Sequence, residues 1–398
     1  MGYKRVMTMT LGDTGTDLVA AMAEVVAEQA EAAETARTMT APIVDAMWDT
    51  GLMRHLNPAA AGGSEPGFAE MLATWQRMAW LDGSFGWIGI ANLPSAAATA
   101  AYLPDEGFDE VFGDLSERVT LGGQFAPNGQ GVKVEGGYRV TGSWNFGSGT
   151  GHSAWVCAGF LPMDEGELVL DADGQVQLLA GVFPREDLTF TDGWHVQGLK
   201  GTGSFDYNTT DTFVPDHRVF DLFERTPRRG EAPAFHMGLM AITAAGHAAW
   251  ALGVAQSMLD DVAELALTKV RMSDMEALAN RQTFQRNFAH HTGMWRAARL
   301  LVLDAFTTAE AAVAAGEPLT PTMRANMRIA ATYATETSRE VAQWCHLAAG
   351  TTAIREGSRL ERAFRDIYTG TQHAFISEKT YLESAQVLLG LVEDHRGL

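Results

Sequence analysis

The residue with the clearest chemical potential in this sequence is Ser148, which lies between two glycines. Gly147 and Gly149 leave the serine hydroxyl and the neighbouring backbone N–H groups open to close approach by a flat ligand, because glycine has no side chain to block it. A serine between glycines is also typical of a tight hairpin, where it is only a turn residue. The local pattern leaves both interpretations open.

Histidines and cysteines are the other candidate reactive groups. His373 begins a predicted helical run that extends to Leu389, and a lone histidine on a helix is more often structural. His290 and His291 are adjacent on a predicted helix, so they point in different directions and lack metal-ligand spacing. Cys157 and Cys345 each stand alone in an apolar context. The sequence therefore predicts neither a metal site nor a disulfide framework.

Composition excludes some partners. The 49 acidic and 29 basic residues give a formal charge of −20, which opposes binding to nucleic acid. The first residues, 1–11, have no apolar core or cleavage site of a signal peptide, and we find no stretch that approaches the apolar length of a membrane span. We therefore expect a cytoplasmic protein without membrane or nucleic-acid partners.

The elements that must position these groups fall into three segments. Apolar residues recur at helical spacing from about residue 16 to 113, short alternating runs rich in Gly, Thr and Val follow to about residue 219, and long helical patterns fill the rest. We predict an N-terminal helical domain (1–117), a central β domain (118–222) and a C-terminal helical bundle (223–398). The expected fold class is α+β and multi-lobed, with an antiparallel sandwich or barrel at its centre.

A cluster of large apolar residues lies in the second half of the first segment. Such side chains at helical spacing usually pack against neighbouring helices, so we interpret the cluster as core rather than as part of a cofactor site. Its members are Trp75, Met78, Trp80, Trp87 and Ile88.

Three motifs resemble those of a known family. They are the glycine-rich segments at 123–129, 136–140 and 142–149, the segment 194–204 with Val214 and Pro215 beyond it, and the segment 360–367 with Gln372 and His373 beyond it. Their order and spacing resemble the acyl-CoA dehydrogenase superfamily. Within that superfamily they are most similar to the oxygenase components that hydroxylate 4-hydroxyphenylacetate, secosteroid phenols and dibenzothiophene.

This resemblance implies a flavin site. Ser148 corresponds to a serine or threonine whose hydroxyl contacts flavin N5, and backbone groups near Gln124 to Ala126 would contact the ring edge. Arg271 corresponds loosely to an arginine that reaches the flavin pyrophosphate of a neighbouring subunit. The cofactor-binding residues that the resemblance implies are Gln124, Phe125, Ala126, Trp144, Phe146, Ser148 and Arg271.

The last motif bears on the reaction type. Acyl-CoA dehydrogenases commonly carry a Tyr-Glu-Gly-Thr sequence here, whose glutamate removes a substrate proton, whereas this chain has Thr369 at that position. Threonine is too weak a base for that step. In the monooxygenase subgroup a histidine occupies the position of His373. The resemblance therefore implies that His373 and Ser148 are the two catalytic residues. His152 also matches a subgroup histidine, and a packing role suits it equally well. We expect Arg362 and Arg365 to join helices by pairing with acids such as Asp366.

The sequence departs from the phenol hydroxylases at two positions. Those enzymes have a histidine in the N-terminal domain and a serine before the first motif, which together bind the phenol hydroxyl. The corresponding stretches here are 96–99 and 122–123, which contain Ala, Thr and Gly. We therefore expect a substrate other than a simple para-substituted phenol, such as a larger aromatic molecule, a heteroatom centre or an intermediate of specialised metabolism.

The resemblance implies a complete activity. Reduced flavin (FMNH2 or FADH2), supplied by a separate reductase, would react with O2 to form a C4a-hydroperoxide that oxygenates a small-molecule substrate, and the family favours a homotetramer. Three alternatives stay open: a dehydrogenase or oxidase with tightly held FAD and a base elsewhere, a flavin-binding protein without turnover, and a Ser/His hydrolase using Ser148 and His373. No nucleophile-elbow pattern surrounds Ser148, which disfavours the hydrolase.

Overall fold

The computed structural model describes residues 14–171, 173–272 and 275–398. Segment 1–11, on which the expectation of no targeting sequence rests, lies outside the described residues. The chain forms helices, then a sheet, then further helices. The first expected domain boundary, after residue 117, falls between the last N-terminal helix and the first strand. The second, after residue 222, falls between the last strand and the first C-terminal helix.

The N-terminal helices pack around the cluster predicted as core. Side-chain exposure is 0% for Trp75 and 7% for Trp87. Asp82 caps the helix that carries Trp87 by accepting a hydrogen bond from the backbone N–H of Phe85 at 3.0 Å, which stabilises the first turn. The helices are α1 (Thr14–Ala21), α2 (Ala23–Ala36), α3 (Ala41–Asp49), α4 (Phe68–Leu81), α5 (Gly83–Tyr102) and α6 (Asp105–Phe112).

The central strands form one eight-stranded sheet in the order β6-β7-β2-β1-β3-β5-β8, with β4 paired to β3. The strands are β1 (Leu121–Val134), β2 (Gly137–Gly147), β3 (Trp155–Asp164), β4 (Glu167–Leu168), β5 (Leu179–Pro184), β6 (Thr189–Thr191), β7 (Phe205–Pro215) and β8 (Val219–Asp221). β1 and β3 are parallel neighbours, whereas the other pairs are antiparallel. The sheet is therefore mixed, and the expectation of a wholly antiparallel sheet needs this correction.

The C-terminal helices form the bundle, with a kink in the first at Gly238, where φ is 85°. They are α7 (Pro233–Thr268), α8 (Gln282–Ala314), α9 (Pro321–Ala349), α10 (Arg359–Gly370) and α11 (Glu378–Leu388). α7 reaches a mean hydropathy of 1.4 over an 18-residue window, so the expectation that no stretch has the apolar length of a membrane span is wrong. Because 89% of that window is buried inside the protein, α7 is typical of a core helix.

Two apolar cores hold these elements together. The larger core joins the helices of both ends of the chain with one face of the sheet. The smaller core fills the other face and includes Trp144, Phe160 and Tyr207. Both cysteines are free and buried. The sheet is thus packed on both faces, and the ends of its strands present residues to the helices.

Candidate active site

Ser148 lies where the end of β2 meets the start of β1. The backbone N–H of Gly123 donates to the carbonyl oxygen of Ser148 at 3.1 Å, which brings the first motif beside the serine. Gly123 has φ of 131°, and a Cβ there would lie 2.1 Å from the carbonyl oxygen of Cys157. Only glycine therefore permits this close approach of the strands. The serine itself is half-buried.

The hydroxyl of Ser148 is held by side chains from two other segments. The indole N–H of Trp87 on α5 donates to it at 3.0 Å, and the hydroxyl of Ser204 donates to it at 3.1 Å. Ser204 lies 2.7 Å from the hydroxyl of Thr202, which also donates to the carbonyl oxygen of Leu199 at 2.9 Å. A serine fixed by three segments of the chain is more than a turn residue.

The residues after Gln124 bulge out of the sheet. Gln124 pairs with Ala158, and pairing resumes only at Gly129 opposite Phe160, so four residues, 125–128, face the single residue Gly159. A wide bulge of this kind leaves backbone groups outside the ladder, where a ligand can use them. Phe125 is half-buried and Ala126 is exposed. This surface lies beside Ser148, as the resemblance implies for the ring edge of a flavin.

Trp144 is placed differently from the expectation. Its side chain is fully buried in the smaller core, where it stacks on Tyr207 with ring centroids 5.3 Å apart. Its indole N–H donates to the carbonyl oxygen of Gly159 at 2.8 Å, opposite the bulge. The structure thus contradicts Trp144 as a cofactor contact, because the strand alternation turns it into the core. It supports the bulge from behind.

Phe146 lies on the opposite side of its strand from the core. It is 61% exposed and has φ of 64°, a backbone conformation that non-glycine residues rarely adopt. The carboxylate of Asp206 accepts a hydrogen bond from its backbone N–H at 3.0 Å, and its ring meets that of Trp194 at a centroid distance of 6.1 Å. An exposed aromatic ring held in a strained conformation is a candidate ligand contact.

His373 reaches the site from the segment after α10. Its ring centroid is 5.9 Å from that of Trp87, whose other end holds Ser148. The backbone N–H of Phe375 donates to His373 Nδ1 at 3.3 Å, which places the proton of the neutral ring on Nε2. His373 therefore offers a hydrogen-bond donor to the site. The structure brings together Ser148 and His373, which are far apart in the sequence.

The electrostatic setting keeps His373 neutral. Displacement of water by the surrounding protein, and secondarily the charge of Arg328, lower the pKa of His373 below its usual value. The residue nevertheless remains solvent-accessible. Arg328 lies over the ring of Phe375 at 3.5 Å, and its Nε and Nη1 have no hydrogen-bond partner in the described part of the chain. A neutral His373 at neutral pH can donate its Nε2 proton in a hydrogen bond.

Sequence reasoning missed His247 and the role of Trp87. His247, on α7, lies with its ring centroid 4.5 Å from that of His373 and 5.3 Å from that of Trp87. The available signal was a histidine inside an otherwise apolar helical run, because a buried polar residue in such a helix needs a reason. Trp87 is core by burial, as predicted, but its indole N–H also connects the helical core to Ser148.

The remaining predicted residues lie elsewhere. Arg271 is exposed and donates to the carbonyl oxygen of Ala348 at the end of α9, and no described contact joins it to Ser148. His152 Nε2 lies 3.1 Å from the side-chain oxygen of Asn92, and burial lowers its pKa to about 4, which favours the packing role.

The arginines of α10 join helices as expected, but through different acidic partners. Arg362 pairs with Asp82 at 3.0 Å, and Arg365 with Glu34 at 2.8 Å, so these arginines join helices as expected. Asp366, which we expected among their partners, instead accepts a hydrogen bond from the backbone N–H of Leu199 at 2.6 Å. Among the described residues, no group of three or more His, Cys, Asp or Glu side chains could hold a metal ion.

The site fits the flavin that the resemblance implies. The half-buried hydroxyl of Ser148, the outward backbone of 125–126 and the exposed ring of Phe146 adjoin one another along the same strand ends. Together they offer hydrogen-bonding groups beside an aromatic face, which is what a planar heteroaromatic ring requires. Residues of the chain thus fit the ring, and the role of Arg271 stays a prediction of the resemblance.

Comparison with known proteins supports this assignment. Residues 245–378 match the model of the acyl-CoA dehydrogenase C-terminal domain. The chain is 28% identical over 354 residues to an indole-3-acetate monooxygenase of Pseudomonas putida, covering 89% of this chain and 88% of that protein. It is also 28% identical over 362 residues to the flavin-dependent monooxygenase oxygenase subunit HsaA of Rhodococcus jostii, covering 87% of this chain and 90% of HsaA.

Solved structures agree with the fold. A 3-HSA hydroxylase from Rhodococcus sp. RHA1 superposes with a TM-score of 0.88 at 25% identity, covering 97% of this chain and 100% of that chain. XiaF from Streptomyces sp., solved in complex with FADH2 and glycerol, gives a TM-score of 0.84 at 26% identity, covering 95% of this chain and 97% of that chain. The expected fold class is confirmed. Residues 245–378 thus carry an acyl-CoA dehydrogenase C-terminal domain, and the relatives that the chain resembles over most of its length are oxygenase components of flavin-dependent monooxygenases.

Proposed function

We propose that this chain is the oxygenase component of a two-component monooxygenase that uses reduced flavin and O2 to oxygenate an aromatic substrate. The observation that carries the proposal is the Ser148–Trp87–His373 connection. One indole holds the hydroxyl beside the predicted flavin ring and also packs against the ring of His373. The function is also the one that the relatives' names describe for them.

The residue at the usual dehydrogenase base position disfavours the runner-up. Thr369 lies within α10, and its hydroxyl donates to the carbonyl oxygen of Arg365 at 2.9 Å. A threonine already bonded to its own helix is unsuited to removing a proton from a substrate. The nearby His373 has its Nδ1 occupied by the backbone N–H of Phe375. Neither group supports substrate dehydrogenation.

The residues of the chain divide the work around the cofactor. Bound reduced flavin supplies the two electrons that activate O2. Ser148, held by Trp87 and Ser204, positions its hydroxyl at the ring nitrogen N5, and the bulge at 125–126 contacts the ring edge. Phe146 covers an aromatic face and excludes water, which is needed because water diverts activated oxygen to hydrogen peroxide. His373 donates its Nε2 proton in a hydrogen bond to oxygen on the substrate side.

The finer features follow the resemblance. We infer that FMN and FAD are both candidates, that a separate reductase supplies the reduced form, and that the protein acts in the cytoplasm. Relatives named as oxygenase subunits and components support the reductase. In a homotetramer, exposed Arg271 would be available to bind the pyrophosphate of a flavin on a neighbouring subunit, as the resemblance implies.

The substrate is proposed as an aromatic molecule. The rings of Trp87, His373 and Phe375 cluster near Ser148, and aromatic faces of this kind suit a flat ring. Relatives are named for indole-3-acetate and for p-hydroxyphenylacetate, both aromatic. Stretches 96–99 and 122–123 lack the histidine and serine that bind a phenol hydroxyl in the phenol hydroxylases. Recognition of any ring hydroxyl or N–H must therefore use other residues.

A coupling experiment tests this function. Purified protein is loaded anaerobically with reduced FMN or FAD, mixed with ¹⁸O2 and a panel of indoles and phenols, and analysed by mass spectrometry alongside a hydrogen peroxide assay. Wild type is expected to place one ¹⁸O atom in a product. Ser148→Ala is expected to release mainly hydrogen peroxide, whereas Ser143→Ala, an exposed serine on the same strand, should match wild type. Transfer of electrons from an acyl thioester to the flavin, without oxygen incorporation, would contradict the proposal.

A further inference from the structure

His247 belongs to the same cluster of rings as His373. It lies on α7 and is 5% exposed, and aromatic rings surround it at centroid distances of 4.5 Å for His373, 5.3 Å for Trp87 and 5.8 Å for Phe375. Trp87 in turn donates to Ser148. His247 is therefore one side chain away from the hydroxyl at the predicted flavin ring, in the wall where a substrate ring would lie.

The ring nitrogens of His247 are free for a ligand. In the described ranges neither nitrogen bonds a protein atom, and neither belongs to the polar atoms that are sealed from solvent without a partner. By contrast, His152, in the turn between β2 and β3, bonds Asn92. A side chain that is 95% enclosed by protein, while its ring nitrogens are neither bonded to protein nor sealed from solvent, is arranged to meet a ligand rather than to complete the core.

The two histidines are neutral and complementary. Burial, followed by the charges of His373 and Arg328, lowers the pKa of His247 well below its usual range. A neutral imidazole has one N–H donor and one lone pair. The Nδ1 atom of His373 already accepts a hydrogen bond from the backbone N–H of Phe375, so His373 can offer a ligand only its Nε2–H donor. The lone pair of His247 is then the available acceptor in this pair.

We propose that His247 accepts a hydrogen bond from the ring O–H or N–H of an aromatic substrate and so orients the ring toward Ser148. This inference rests on the proposed function and deepens it by naming the substrate class, aromatic rings with a hydroxyl or indole-type N–H. It replaces, from α7, the acceptor that stretches 96–99 and 122–123 lack. A ring without such a hydrogen would leave His247 unsatisfied and bind more weakly.

The test uses the flavin-free protein and matched ligand pairs. Dissociation constants for indole and 1-methylindole, and for phenol and anisole, are measured by ligand-observed NMR titration under oxygen-free conditions. The hydrogen-bearing member of each pair is expected to bind about five- to tenfold more tightly than its methylated partner, from the loss of one buried hydrogen bond. No oxygen chemistry enters the measurement, so its outcome is separate from that of the ¹⁸O experiment.

Variants assign the preference to one side chain. His247→Phe keeps the ring size without the acceptor and should bind both members of each pair equally, whereas His247→Gln should regain part of the preference through its amide oxygen. His236→Gln, an exposed histidine on the same helix, is the matched control and should behave as wild type. The wild-type preference should also persist from pH 8 to pH 6, because His247 stays neutral in that range.

Three results would overturn the proposal. They are equal binding within each pair by wild type, a preference that survives His247→Phe, and failure of all four probes to bind below several millimolar. A preference that disappears on acidification around the ordinary histidine pKa of about 6.5 would also contradict the neutral state of His247. Should His247→Phe fail to fold, the wild-type ratios and their pH dependence still decide the matter.

Discussion

Asp366 offers a quantitative test of how the site is supported. It lies on α10 and is fully buried. Its Oδ1 accepts a hydrogen bond from the backbone N–H of Leu199 at 2.6 Å, and its Oδ2 has no partner in the described residues. Leu199 begins the turn that carries Thr202 and Ser204 to Ser148. A change at Asp366 therefore reaches the hydroxyl at the predicted flavin ring through this turn.

Burial, and secondarily the charge of Asp82, raise the pKa of Asp366 from 3.8 to about 8. Between these two values the folded protein binds a proton that the unfolded chain has lost. Stability is therefore fully present below the unfolded value and falls as pH rises through the folded value. At about 1.4 kcal/mol for each pH unit below the folded pKa, the free energy of unfolding should fall by about 2–3 kcal/mol between pH 6 and pH 9.

The perturbation is Asp366→Asn, which keeps an oxygen for the N–H of Leu199 but does not titrate. Urea unfolding at pH 6 and pH 9 measures the free energy of unfolding. The variant is expected to lose the drop of about 2–3 kcal/mol and to be more stable than wild type at pH 9. Asp304→Asn, an exposed residue of α8, should keep the wild-type pH dependence. An Asp366→Asn variant with the same drop as wild type would refute the reasoning.

Three further predictions concern the support of the site. Trp87→Phe removes the N–H that holds Ser148 at 3.0 Å and should raise the share of oxygen released as hydrogen peroxide. Trp144→Phe removes the buried hydrogen bond from the indole N–H to the carbonyl of Gly159, so urea unfolding should show a loss of about 1 kcal/mol, together with weaker flavin binding by fluorescence titration. Gly159→Ala places a Cβ 2.1 Å from the carbonyl oxygen of Phe125 and should displace the bulge and weaken flavin binding. Unchanged peroxide release or flavin affinity would contradict the corresponding contact.

The sequence motifs identified the segments of the site, but they did not predict which way each side chain points. Ser148 and the segment 124–126 could be recognised because glycines are needed where strands approach closely, and that need is visible in the sequence. Trp144 and Phe146 were both assigned to the cofactor by the resemblance. A register shift between Trp144 and Gly147 separates them, which short-range patterns do not reveal.

Long-range pairing explains the other differences. Strands β1 and β3 are parallel neighbours in the sheet, although β2 lies between them in the sequence. The turn residues in the sequence indicate only the hairpin between β1 and β2, so they do not predict the β1–β3 pairing. In the sequence, His247 is a polar residue within an apolar helix. Its proposed role depends on the nearby His373, and only the folded chain brings the two ring centroids to 4.5 Å. Asp366 was expected to pair with Arg362 and Arg365. Those arginines instead form ion pairs with Asp82 and Glu34, respectively. Such choices depend on three-dimensional proximity.

The most direct test of the central claim is stopped-flow absorbance after the protein, loaded anaerobically with reduced FMN or FAD, is mixed with oxygenated buffer. The structure predicts that wild type forms a long-lived absorbing species distinct from reduced and oxidised flavin, and that Ser148→Ala loses it while Ser143→Ala retains it. Immediate appearance of oxidised flavin in wild type and Ser148→Ala alike would contradict the assignment of Ser148 and of the monooxygenase activity.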